Sequence, residues 1–211
     1  LVLTIAHTYG IFVHPDDVVN IGIDRISEQD LEFARQRGCT IKLIACAFRT
    51  GNKIHGFVTP RFIPVADPLA SIRNEYNAVV VQGAFAERQL FVGKGAGSYP
   101  TGSAVLSDIS ALTYDYAYEY KRHHHTENIV FSTDLLVDAT ISADSDDALL
   151  SEFEKLTNRY SITGKSYLTG YIKLQKLRKL YNQEDVSVIL NLHAGFISEK
   201  NISMQEIAAL S

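Results

Sequence analysis

Residues 38–59 carry a strand, a turn and a second strand in immediate succession, and that pattern commits the chain to a β-sheet. Residues 41–48 read Ile-Lys-Leu-Ile-Ala-Cys-Ala-Phe, rich in the β-branched and apolar types that suit a pleated surface. Arg49-Thr50-Gly51-Asn52-Lys53 supplies turn chemistry, and residues 54–59 return as the second strand. A second hairpin is expected, with residues 77–82 leading out and 88–92 leading back. Between the hairpins, Pro60, Pro64 and Pro68 punctuate an extended connection.

Helical signals surround these strands. Residues 1–10 read as the end of an apolar helix stopped by Gly10, with His7 as a core or interface histidine. Ser27 is a good N-cap, Asp30 sits three residues on, and Gly38 closes the helix between them. Gly93-Lys94-Gly95-Ala96-Gly97-Ser98-Tyr99-Pro100 feeds a further helix, on which Val105, Leu106, Ile109 and Leu112 form an apolar stripe. The first 122 residues thus predict an α+β fold: a mainly antiparallel sheet with helices on one face.

The charged and histidine-rich residues 120–128 suggest a linker to a second domain at 128–211. There the pattern predicts a strand at 129–142, a helix at 146–157, and a strand or hairpin at 160–173. A helix at 174–183, a strand at 186–193 and a short helix at 203–210 follow. Split β-α-β units in that order predict a ferredoxin-like domain. Leu174, Leu177 and Leu180 give its second helix one apolar stripe beside a basic, solvated face.

Composition narrows the function classes. The chain has 211 residues, is 46% hydrophobic and 21% charged, and has a net charge of −4. No basic stripe marks a nucleic-acid surface, and no apolar run approaches the roughly 20 residues that a membrane helix needs. Cys39 and Cys46 flank one predicted strand. At about 3.3 Å of rise per residue they lie beyond disulfide reach, so they read as buried reduced thiols fitting a cytoplasmic protein.

Three segments, taken in order, resemble the catalytic and dimerisation region of homoserine dehydrogenases. The first is Gly22-Ile23-Asp24-Arg25-Ile26-Ser27 with Asp30, then Gly38-Cys39-Thr40-Ile41-Lys42-Leu43-Ile44-Ala45. The second is Ile63-Pro64-Val65-Ala66-Asp67-Pro68-Leu69-Ala70, then Asn77-Ala78-Val79-Val80-Val81-Gln82-Gly83. The third is Gly93-Lys94-Gly95-Ala96-Gly97, then Pro100-Thr101-Gly102-Ser103-Ala104-Val105 and Asp108.

The resemblance implies reversible oxidation of L-homoserine to L-aspartate 4-semialdehyde with NAD or NADP, a homodimer or higher oligomer, and an ACT-like tail that takes an amino-acid effector. It also implies a proton-transfer lysine immediately before Leu1, because Leu1-Val2-Leu3 matches the residues that follow it in the family. No catalytic residue is therefore assigned within the chain. By itself the chain would then act as a catalytically incompetent binding and oligomerisation module of such an enzyme.

Two departures stand out: Asp67 replaces a frequent histidine, and Lys94 replaces a frequent proline. The tail shows Ala143-Asp144-Ser145-Asp146 where a glycine-containing ligand turn is usual.

The residues expected to face the cofactor are Gly93, Gly95, Ala96, Gly97 and Thr101. Glycines let a ligand approach the backbone closely, and a helix N-terminus attracts anionic groups. Thr101 and Ser103 could equally cap the helix, and Lys94 could reach a cofactor phosphate. No metal site is expected, since the consecutive His123, His124 and His125 point in different directions.

Overall fold

The computed structural model describes residues 1–83, 85–119, 123, 128–145, 148–162 and 164–191. Two compact units make up the chain: Leu1–Ile63 joined with Tyr120–Ser211, and Pro64–Glu119.

The first unit begins with α1 (Val2–Tyr9), ended by Gly10 at φ 76°, whose N–H bonds Ala6 O. Its buried residues are Ile5 and Ala6, while His7 faces outward. Of the two readings of His7, core or interface, the core one fails because the neighbouring positions take the buried face. α2 (Glu28–Gln36) opens with a full capping box: Ser27 Oγ accepts from Asp30 N–H, and the Asp30 carboxylate accepts from Ser27 N–H.

β1 (Val19–Asn20), β2 (Cys39–Thr50) and β3 (Lys53–Pro64) follow the expected order, but β3 runs beyond residue 59. The connection read as irregular is therefore strand as far as Pro64. The residue before a proline already favours extended backbone, so prolines at 60 and 64 are compatible with a strand wherever their missing N–H is not needed.

The remaining strands of this unit are β6 (Val130–Phe131), β7 (Leu136–Ala143), β8 (Lys155–Ile162), β9 (Lys165–Lys173) and β10 (Ser187–Leu190), with α4 (Leu174–Tyr181) between the last two. Among the described residues they form one eight-stranded sheet. Its path runs β1-β3-β10-β7-β9-β8, and β2 and β6 also pair with β3. β3 takes β1, β6 and β10 as parallel partners, whereas β10-β7-β9-β8 is antiparallel throughout. Of the split β-α-β pattern read from the sequence, the second half, β9-α4-β10, is formed.

Strands from the segments 1–122 and 128–211 share one sheet, in which Leu190 of β10 pairs with Arg61 of β3. The predicted helix at 146–157 is not formed: the described part holds a 3-10 turn at Leu150–Glu152, and β8 starts at Lys155. Leu149 buries into the core with Leu150 and Phe153 packed against it, which imitates a helical stripe. Seven of the eight residues of β8 find ladder partners on β9, and that overrides the weak local pattern. The expected helix at 203–210 and most of the linker lie outside the described residues.

Alternate residues of β7 serve different partners, as the strand period requires. Val137, Ala139 and Ile141 join the core that contains Leu174, Leu177 and Leu180 of α4. Ser142 instead meets Asp30 of α2. Cys39 and Cys46 are free thiols, half-buried rather than fully buried. Among the described residues no helix is long and apolar enough to cross a membrane.

The second unit contains β4 (Tyr76–Val81) and β5 (Gln89–Lys94), an antiparallel pair forming its own two-stranded sheet, followed by α3 (Ser98–Leu112). α3 buries none of its residues, although Val105, Leu106, Ile109 and Leu112 are each at least 53% exposed along one stripe. An apolar helix face of that kind is built to be covered.

Candidate functional site

The glycine loop joins β5 to α3. Gly97 sits at φ 108° and ψ 157°, a conformation open essentially to glycine alone, and it occupies the N-cap of α3. No side chain caps the first turn. Thr101 and Ser103 therefore lie inside the helix and do not cap it. Thr101 instead donates its backbone N–H to Gly97 O at 3.2 Å.

An open groove of about 680 Å³ starts at this helix end and runs along the apolar stripe, lined by Gly97, Ser98, Thr101, Gly102, Val105, Leu106 and Ile109. Its small residues lie at the N-terminal end and its bulky ones further along. Gly93, Gly95, Ala96, Gly97 and Thr101 are all exposed, and of these Gly97 and Thr101 line the groove.

Lys94 is committed elsewhere. Its ammonium lies 2.9 Å from Glu75 Oε1 and 5.2 Å from the centre of the Tyr76 ring. The Glu75 carboxylate, followed by Tyr76, raises the Lys94 pKa, and the same contact lowers that of Glu75. Sequence reasoning missed Glu75, Tyr76 and Asn77 as neighbours of the loop. The signal lay in the hairpin register, which sets Tyr76 opposite Lys94 and Asn77 opposite Gly93.

Asp67, the other departure, caps the 3-10 turn Pro68–Ser71 by accepting Leu69 N–H at 2.8 Å. Arg88 Nη2 reaches both of its carboxylate oxygens, at 3.0 and 2.9 Å. Burial pushes this carboxyl up, but Leu69 N–H and Arg88 outweigh it and hold the pKa below the usual range. Its partners mark it as a staple of the second unit.

No group of three or more His, Cys, Asp or Glu residues that could hold a metal ion occurs among the described residues. His124 and His125 lie outside them. His123 contacts Gly10 O through Nδ1 at 2.9 Å, with its ring 5.2 Å from Phe12.

A family model described as homoserine dehydrogenase matches residues 1–110. The homoserine dehydrogenase of Bacillus subtilis is 40% identical over 104 residues, which cover 49% of this chain and 24% of that protein. That of Corynebacterium glutamicum is 45% identical over 102 residues, covering 46% and 23%. The matched stretch thus spans about a quarter of these relatives. Among solved structures, a Thiobacillus denitrificans homoserine dehydrogenase superimposes with a TM-score of 0.68 at 21% identity, over 90% of this chain and 51% of that one. One from Staphylococcus aureus gives 0.59 at 21% identity, over 92% and 51%. At such identities the superpositions speak for the fold.

Proposed function

This chain belongs to the homoserine dehydrogenase family, and we propose that it works as the substrate-side scaffold of an NAD(P)-dependent enzyme interconverting L-homoserine and L-aspartate 4-semialdehyde. The observation that carries this reading is the family match over residues 1–110, which takes in the whole glycine loop and the first turns of α3.

The residues present fit a nicotinamide cofactor. Gly93, Gly95 and Gly97 are exposed, the space beside Gly93 is open, and the uncapped α3 N-terminus suits a polar or anionic group. When bound, the cofactor supplies the hydride chemistry. Gly95, Ala96 and Gly97 offer their backbone to it, and Thr101 adds a hydroxyl to the same groove.

Assembly as a homodimer or higher oligomer accords with the exposed apolar residues Val79, Phe91 and Val92 on the hairpin and with the α3 stripe. The strand path β10-β7-β9-β8 and the helix α4 support reading residues 128–211 as an ACT-like regulatory domain. We assign them an amino-acid effector or a purely structural role, and the enzyme a place in amino-acid biosynthesis in the cytoplasm.

The test is homoserine-dependent reduction of NAD and of NADP, run on the full-length protein and on residues 1–211. Turnover is expected from the full-length protein and none from the 211-residue chain. Turnover by the latter at the rate of a normal enzyme overturns the placement of the lysine, and a full-length protein inactive with both cofactors overturns the reaction. Calorimetry with threonine, methionine and other amino acids tests the effector; absence of heat from all of them assigns residues 128–211 to assembly.

A further inference from the structure

All six residues of β5 are exposed. No buried side chain therefore anchors the strand that leads into the glycine loop, and a two-stranded ribbon is only marginally stable by itself. Cross-strand contacts must set the position of its end.

Three consecutive residues, Glu75 just before β4 and Tyr76 and Asn77 at its start, make those contacts. Glu75 pairs with the Lys94 ammonium at 2.9 Å, and its backbone O accepts Gly95 N–H at 3.4 Å. Tyr76 stands opposite Lys94 in the ladder and places its ring against the same ammonium. Asn77 fills the space beside Gly95, where a Cβ would overlap its carboxamide nitrogen. Only Ala96 and Gly97 then separate Gly95 from the first turn of α3.

We propose that Glu75, Tyr76 and Lys94 form a positioning clasp that fixes the path of Gly95–Gly97, and that the charge of Lys94 acts on β4 rather than on the ligand. The clasp rests on the reading of this loop as cofactor-facing. It takes over a positioning task that a proline at residue 94 would perform through its fixed φ.

The full-length protein tests it through Glu75→Gln, Lys94→Met and the charge-reversed pair Glu75→Lys/Lys94→Glu, with kcat, cofactor KM and amide exchange at Gly95–Gly97 as readouts. Each single variant should raise cofactor KM by about two- to five-fold, as suits an exposed pair, with kcat unchanged and faster exchange at Gly95. The reversed pair should return KM and exchange toward the starting values. A direct contact between Lys94 and the cofactor predicts the opposite for Glu75→Gln, a lower KM, and that result overturns the clasp. Gly95→Ala separates the two levels of the argument. If it leaves cofactor binding untouched, the loop is not cofactor-facing. If it weakens binding while the clasp variants match the parent in KM and exchange, the clasp alone is wrong.

Discussion

Asp30 and Lys165 form an ion pair at 3.1 Å with side chains only 0% and 8% exposed, joining the first turn of α2 to the first residue of β9. The carboxylate is saturated. Oδ2 also accepts from Ser27 N, Ser27 Oγ and Ser187 Oγ, and Oδ1 accepts from Ser142 Oγ. One side chain therefore caps its own helix and ties it to β7, β9 and β10.

Removing one partner of a buried pair leaves an uncompensated charge. Lys165→Met should destabilise the protein by about 3–5 kcal/mol, and Asp30→Leu/Lys165→Met by less. Urea unfolding measures both. A loss below about 1 kcal/mol in Lys165→Met would show that the serine hydroxyls carry the carboxylate without the lysine.

The same carboxylate sets an acid limit. Burial pushes its pKa up, but the Ser27 and Ser142 hydrogen bonds and the Lys165 charge outweigh that, so the folded value lies below the ordinary one. A depressed carboxyl pKa contributes stability that is complete above the unfolded value of about 3.9 and is lost as pH falls through the folded value. Asp30→Asn should remove this part of the acid transition. An unchanged slope of stability against pH below about 4 would assign the transition to other groups.

His55 predicts a second pH dependence in a different window. It is fully buried: Nδ1 donates to Ser132 O at 2.8 Å, and Nε2 accepts the Thr50 hydroxyl at 2.8 Å. Burial lowers its pKa. Below the unfolded value of about 6.5 the unfolded chain therefore binds the proton more readily, and stability falls by up to about 1.4 kcal/mol per pH unit until the folded value is passed. Chemical unfolding at several pH values between about 7 and 5 should show that decline, and His55→Gln should flatten it.

Gly170 is a packing requirement of β9. A Cβ there would overlap the Lys155 carbonyl oxygen and lie 2.9 Å from Leu156 Cα, both backbone atoms of β8. Backbone cannot swing aside as a side chain can, so Gly170→Ala should cost about 1–3 kcal/mol. Amide exchange should localise the loss to β8 and the bulge between Leu156 and Asn158. Uniformly unchanged exchange would contradict it.

Gly97→Ala strains a backbone at φ 108° by about 1–3 kcal/mol. The first turn of α3 should fray, with faster exchange at Thr101, whose N–H bonds Gly97 O. Exchange at Lys165–Lys173 should not change, and a global loss of protection would refute this localised effect.

The sequence by itself determined what local chemistry dictates. Ser27 with Asp30 announced a helix start, Gly10 a helix end, and residues 49–53 a turn between strands, because caps and turns are satisfied within a few residues. Leu174, Leu177 and Leu180 announced one buried helix face. The glycine loop before α3 was legible too, since Gly97 needs a φ that other residues rarely adopt.

Only the tertiary structure decided which strands share a sheet. Leu190 meets Arg61, and Asp30 meets Lys165, through pairings with no local sequence signature. The helix expected at 146–157 gave way for the same reason: ladder partners on β9 decide the conformation of β8. Lys94 looked available to a phosphate until the register placed Glu75 and Tyr76 beside it. A charge's task depends on what the fold brings within a few ångströms of it, and that distance is not written along the chain.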